Sequence, residues 1–186
     1  MIRKKIKSIS YIAATCLLAS FMMFSCKPAI KKDIGIQLYS VRDSMKANPK
    51  STIAKVGEMG YKYVECAGYS DGLFYGMNPT EFKAVVEAAG MSILSSHTGN
   101  TPPDSANVDA NMAWWDQCID AHVATGAKYI VQASMGRDAY ASLNGLKKYC
   151  DYFNTVGEKC AAKGIQFGYH NHSKEFAELE GNIIYD

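Results

Sequence analysis

The sequence predicts an α/β protein in which parallel strands alternate with helices, and three observations carry that expectation. Four times a helix-like segment reaches a glycine and passes straight into a short apolar strand, at Gly60, Gly90, Gly126 and Gly164. The intervening helices open on clear caps, and polar residues collect where the strands end. Spacings of 30, 36 and 38 residues between the glycines suit a repeated strand–helix unit with right-handed crossovers.

Arg3, Lys4, Lys5 and Lys7 precede an uncharged, mostly apolar run from Ile9 to Phe24. That run is shorter than the roughly 20 residues a membrane-spanning helix needs, so residues 1–25 are expected to be an export signal. Met23-Phe24-Ser25-Cys26 resembles a bacterial lipobox, which predicts a lipoprotein signal peptide with lipidation at Cys26; an ordinary cleaved signal is the alternative. Residues 26–32 then form a short tether. The expected location is the periplasm or outer membrane, with membrane contact through the N-terminal lipid alone. Without the leader's four cations the formal charge moves from +2 to near −2. The globular part has no basic stripe, which excludes a nucleic-acid partner.

Strand one is expected at Ile34–Ser40. Asn48-Pro49 caps the first helix, with Ile53, Val56 and Met59 on its apolar side, and Gly60–Glu65 forms the second strand. The aromatic, glycine-rich loop Tyr69–Asn78 suits a pocket wall that stacks on a sugar ring. Asn78-Pro79-Thr80-Glu81 supplies an N-cap, a first-turn proline and an acidic N3, followed by Phe82, Val85, Val86 and Ala89 on one face. The third strand is Gly90–His97. Trp114, Trp115, Cys118, Ile119 and His122 belong to a packing helix, so His122 reads as structural and the tryptophans as packing rather than a sugar platform. After the fourth strand, Gly126–Gln132, a helix from about Ser142 to Lys163 carries Leu143, Leu146, Tyr149, Phe153, Val156 and Cys160 as one stripe. The fifth strand is Gly164–His170.

Two architectures fit this order. A five-stranded doubly wound sheet would be complete at this length, whereas a (β/α)8 barrel needs about 250 residues. The segment Gly181–Asp186 closes the sequence without a helix to cover a last strand. The expectation is therefore a barrel represented by its first five β/α units, over residues 33–186. Cys150 and Cys160 lie on one helix about 15 Å apart, beyond disulfide reach; a Cys66–Cys118 pair stays open, with buried free thiols the expected state.

In either architecture the functional face lies at the C-terminal strand ends. Gln37 and Tyr39, Glu65, then Ser95, Ser96 and His97, then Gln132, then His170 and His172 occupy those ends. Alternation allows Gln37, Glu65, His97, His170 and His172 to face one cavity. On an extended backbone His170 and His172 are about 7 Å apart on one side and can converge on one ion or polyol. Glu175 is either a third ligand beyond the strand or a solvated loop charge. No glycine-rich phosphate loop, Gly-x-Ser-x-Gly elbow or Cys-x-x-Cys pair occurs in the mature part.

Together these pieces resemble the xylose isomerase-like TIM barrel family of sugar phosphate isomerases and epimerases, in particular its exported lipoprotein branch. The marks are Ile34-Gly-Ile-Gln-Leu-Tyr-Ser-Val-Arg42, Gly60-Tyr-Lys-Tyr-Val-Glu65, Ser95-Ser-His97, Gly126-Ala-Lys-Tyr-Ile130, and Gly164-Ile-Gln-Phe-Gly-Tyr-His-Asn-His172 with Glu175-Phe176. The resemblance implies a carbohydrate substrate and a divalent metal, Mn²⁺, Mg²⁺, Co²⁺ or Zn²⁺. Many members carry a glutamate where this chain has His170, which makes His170 the implied metal ligand in a softer site; the remaining ligands come from later strands. It implies metal-assisted proton abstraction beside a carbonyl. Glu65 and Glu175 are the acid–base candidates, and Gln37, His97 and His172 the sugar-positioning residues. A lyase or hydrolase of 3-keto-glycosides, or a non-catalytic carbohydrate-binding lipoprotein or inactive fragment, are the alternatives.

Overall fold

A computed structural model of the chain describes residues 33–185. The expected leader, Cys26 and the tether lie outside the described residues. The chain runs through β1 (Gly35–Gln37), a 3-10 turn (Leu38–Val41), α1 (Arg42–Ala47), α2 (Pro49–Glu58), β2 (Tyr63–Cys66), β3 (Tyr69–Ser70), β4 (Leu73–Phe74), α3 (Pro79–Ala88) and β5 (Ser92–His97). It continues through α4 (Val108–Thr125), β6 (Tyr129–Gln132), a 3-10 turn (Arg137–Tyr140), α5 (Leu143–Ala162), β7 (Gln166–Tyr169), a further 3-10 turn (Lys174–Phe176), β8 (Glu178–Leu179) and β9 (Asn182–Ile183).

Five strands form one parallel sheet in the order β1-β2-β5-β6-β7. Sequence order and spatial order therefore coincide, as in a barrel wall and unlike a doubly wound sheet, whose order reverses. The helix starts follow the caps read from sequence. Asn48 Oδ1 accepts from the Ser51 N–H at 3.0 Å, Asn78 Oδ1 from the Glu81 N–H at 2.9 Å, and Ser142 Oγ from the Gly145 N–H at 3.1 Å. Each such cap stabilises its helix by about 1 kcal/mol. The turns from helix to strand are tight because Gly60, Gly90, Gly126 and Gly164 all take positive φ, between 74° and 95°, where a Cβ would be strained.

The core lies between the sheet and its helices. One cluster joins Leu38, Ile53, Val56, Val64, Phe74, Phe82 and Val86; a second joins Trp115, Cys118, Ile119, Ile130, Val156, Cys160 and Ile165. Buried Trp115 gives its indole N–H to Tyr152 Oη at 2.6 Å, and Tyr152 in turn donates to Asn111 at 2.7 Å. His122 is buried, with Nδ1 2.6 Å from the Cys118 carbonyl. That carbonyl can only accept, so Nδ1 carries the proton.

Several expectations need correction. Met59, expected on the apolar side of α2, is 72% exposed, because the helix has already ended at its C-cap there. Cys66, Cys118 and Cys160 are buried free thiols, but Cys150 is exposed, since it sits off the stripe defined by Tyr149, Val156 and Cys160. Beyond the fifth strand, residues 178–183 form a small antiparallel hairpin turned by Glu180 and Gly181, both at positive φ.

Candidate functional site

The inner face of the sheet is set by register. Gln37 lies beside Glu65, and Glu65 beside Ser95, because an irregularity after Val64 moves the pairing from Val64–Ile93 to Glu65–Ser95 and skips Leu94. Without that slip Glu65 would face a leucine position. With it, Glu65 Oε1 accepts from Gln37 Nε2 and Oε2 accepts from Ser95 Oγ, both at 2.5 Å. The two carboxylate oxygens are thereby fixed in one plane. A cavity of about 210 Å³ lies against these residues, with Gly35 and Tyr63 also in its wall.

The imidazoles gather at the strand ends of β5 and β7. The rings of His97 and His170 meet edge to face at 4.7 Å, and those of His170 and His172 at 4.8 Å. The His170 N–H donates to the Gln132 carbonyl at 3.0 Å, so the β6–β7 ladder carries His170 in register just past Tyr169. His172, expected on the same extended segment, sits beyond it in the turn. His97 Nε2 is buried without a hydrogen-bond partner. Burial lowers the His97 pKa, His170 lowers it further, Glu65 opposes and His172 adds to the fall. A neutral imidazole is the result, with a nitrogen free to accept or donate.

Glu175 is neither a solvated charge nor placed as a third ligand, which corrects both readings. It is 2% exposed. Oε1 accepts from Tyr140 Oη at 2.6 Å and from Tyr169 Oη, while Oε2 accepts from the His172 N–H at 2.8 Å. Burial raises the carboxyl pKa, but the hydrogen bonds from Tyr140, Tyr169 and the backbone outweigh it and bring the group down to about 2. Burial and the Glu175 hydrogen bond push both phenols up, so they stay protonated as donors. Tyr169 alternates with His170 and lies on the helix-facing side, stacked on Phe153 at 5.8 Å. The second carboxylate is thus tied to the opposite side of the sheet from the first.

The remaining candidates divide similarly. Gln132 pairs in register with Tyr169; it is buried and donates to the Ser134 carbonyl at 2.7 Å. Tyr39 is 54% exposed, with Arg42 over its ring at 4.8 Å. The aromatic rings of the loop pack inward: Phe74 is buried, and Tyr69 packs on Phe74, His122 and Trp114 at 5.3, 5.0 and 5.8 Å. Asp71-Gly72 turns the β3–β4 hairpin with both φ positive, as an Asp-Gly pair favours. Tyr75 of this loop lines an open cavity with Tyr39, Arg42 and Lys46. The sequence places Ser95 among the polar strand-end residues without a role of its own, and it singles out neither Tyr140 nor Tyr169 as a site residue. Ser95 had a signal, two residues before His97 on the inward parity; Tyr140 had none, being 35 positions from Glu175.

The metal that the family resemblance implies needs three or more protein donors around one point. Among the described residues no three of His, Cys, Asp and Glu are grouped to hold an ion. Unpartnered His97 Nε2 beside His170 is a fragment of a nitrogen site, and the described residues alone do not complete one.

A parallel β/α wall with its polar groups at the strand ends defines a TIM-barrel protein. The xylose isomerase-like TIM barrel model matches residues 53–183, and the chain belongs to that family. It is similar to the crystal structure of a sugar phosphate isomerase/epimerase from Parabacteroides distasonis, at 31% identity and a TM-score of 0.73 over 83% of this chain and 63% of that one. A second sugar phosphate isomerase/epimerase from the same organism matches at 25% identity and TM-score 0.74, over 86% of this chain and 61% of that one. D-psicose 3-epimerase from Clostridium cellulolyticum, at 18% identity and TM-score 0.54, shares the fold over 73% of this chain and 51% of its own. The chain thus spans less than two thirds of the first two structures. No curated protein matches it.

Proposed function

We propose that the protein is a sugar isomerase or epimerase that moves a proton beside a carbonyl, with Glu65 as the proton acceptor. The supporting observation is the immobilised Glu65 carboxylate on the inner face, held by Gln37 and Ser95. A base must present a fixed lone pair to a carbon acid, and two short hydrogen bonds limit its reorientation. Neutral His97, with His170 and His172 beside it, hydrogen-bonds the sugar's carbonyl and hydroxyl oxygens. Glu175 takes no proton in this reading, because its oxygens already hold three donors.

A divalent metal, which would polarise the carbonyl when bound, belongs to this reading only with ligands additional to His170. Export and attachment through a lipid on Cys26 complete the proposal, resting on the basic, apolar and Ser25-Cys26 succession. The decisive test is deuterium uptake. The chain, supplied with Mn²⁺ or Mg²⁺, is incubated in D₂O with free ketoses and with sugar phosphates, and NMR follows the carbon next to the carbonyl. Uptake that disappears in Glu65→Gln is expected. Uptake unchanged in that variant, or none with any of these sugars, overturns the reading.

A further inference from the structure

We propose that Glu175 is a positioning residue: its buried carboxylate, through hydrogen bonds to Tyr140, Tyr169 and the His172 amide, sets the turn that holds the His170 and His172 rings together. Its functional meaning rests on the reading that these imidazoles face the sugar.

The turn after β7 is otherwise tied by the Phe176 N–H to the Ser173 carbonyl, by the Ala177 N–H to the Lys174 carbonyl and by Lys174 Nζ 5.5 Å from the Tyr140 ring centre. His170 is fixed by its N–H to the Gln132 carbonyl, but His172 lies beyond the ladder and is exposed along with Asn171, Ser173 and Lys174. An exposed turn of this kind has low local stability unless something buried anchors it. Glu175 is that anchor. One oxygen binds the His172 amide, and the other binds two phenols from different parts of the chain. Tyr169 belongs to the end of β7, so its phenol references the carboxylate to the sheet. Tyr140 closes the 3-10 turn that follows β6, so its phenol references the carboxylate to the neighbouring loop.

The hairpin beyond repeats the attachment on a smaller scale. Glu180 Oε1 accepts from the Leu143 N–H at the start of α5 at 3.1 Å. The segment carrying the two histidines is therefore mounted on the β6–α5 connection by two carboxylates. Only the first is buried, and only the first touches the histidine turn. Since a carboxylate accepts and both phenols and the amide donate, the set is complementary without any group left unpaired.

The test reads ring geometry directly in the full chain with ¹³C-labelled histidine and no sugar, so a failed exchange assay leaves it unaffected. In the wild type, with the rings 4.8 Å apart, nuclear Overhauser contacts between His170 and His172 are expected. Glu175→Ala is expected to lose that contact. Glu175→Gln is expected to keep it, because the amide oxygen still accepts and its NH₂ can donate to a phenol oxygen. Should Glu175→Ala fail to fold, the Tyr140→Phe/Tyr169→Phe double variant is expected to show the same loss. A contact that survives in Glu175→Ala or in the double tyrosine variant overturns the proposal, as does its equal loss in Glu175→Gln and Glu175→Ala.

Discussion

Two carboxylates stand near the strand ends, and nearly everything about them differs except their acceptor chemistry. Glu65 lies on the inner face beside a cavity, bound by an amide and a hydroxyl of neighbouring strands. Glu175 lies behind β7, bound by two phenols and a backbone amide. The first is held in place by groups that leave it facing open space, as a reacting group requires; the second is consumed by its partners, as an anchor is. Residue type alone does not separate these roles, whereas the side of the sheet and the identity of the donors do.

The contrast breaks most visibly in the exchange assay, where Glu65→Gln is expected to lower deuterium uptake by about 100-fold or more, the usual worth of a positioned base. If Glu175→Gln did the same, the two roles would have to be exchanged. Stability should reverse the order. Glu175→Ala leaves buried donors unpaired and is expected to cost about 2–3 kcal/mol, measured by urea unfolding, with Glu65→Ala costing less. A pH series sharpens the same point. Because the folded Glu175 carboxyl is depressed from 4.5 to about 2, its contribution is whole above pH 4.5 and is lost as pH falls toward 2; Glu175→Gln should flatten that part of the acid unfolding curve. Ser95→Ala removes one of the Glu65 hydrogen bonds and should reduce uptake about tenfold, with little change in unfolding midpoint. Smallest is Gly126→Ala, expected to cost about 1 kcal/mol through its φ of 80° and to disturb neither carboxylate.

Much of the architecture was legible because it is written locally. A glycine after each of α2 to α5, Asn-Pro at two helix starts and Ser142 before the longest helix are signals within a few residues of their effects. Parity within strands also placed Glu65, His97 and Gln37 on one face. What sequence did not show was long-range or irregular. The slip after Val64 has no residue signature, yet it brings Ser95 against Glu65. The tyrosines that hold Glu175 sit 35 and 6 positions away on a 3-10 turn and a strand end, and no periodicity links them. The Asp71-Gly72 hairpin was readable in principle, but as part of an aromatic loop it suggested a sugar wall more than packing on Trp114 and His122.

The glycine turns also decide where the protein can change length. Residues 89–91, 126–128 and 163–165 are all that separate a helix from the next strand, and a residue added there would push that strand out of step with its neighbour. At the other end of the strands the connections from strand to helix are longer, residues 67–78, 98–107 and 133–142. Insertions and deletions there would reshape the mouth of the cavity and leave the Glu65–Ser95 alignment intact, so what this wall admits can change by lengthening one rim only.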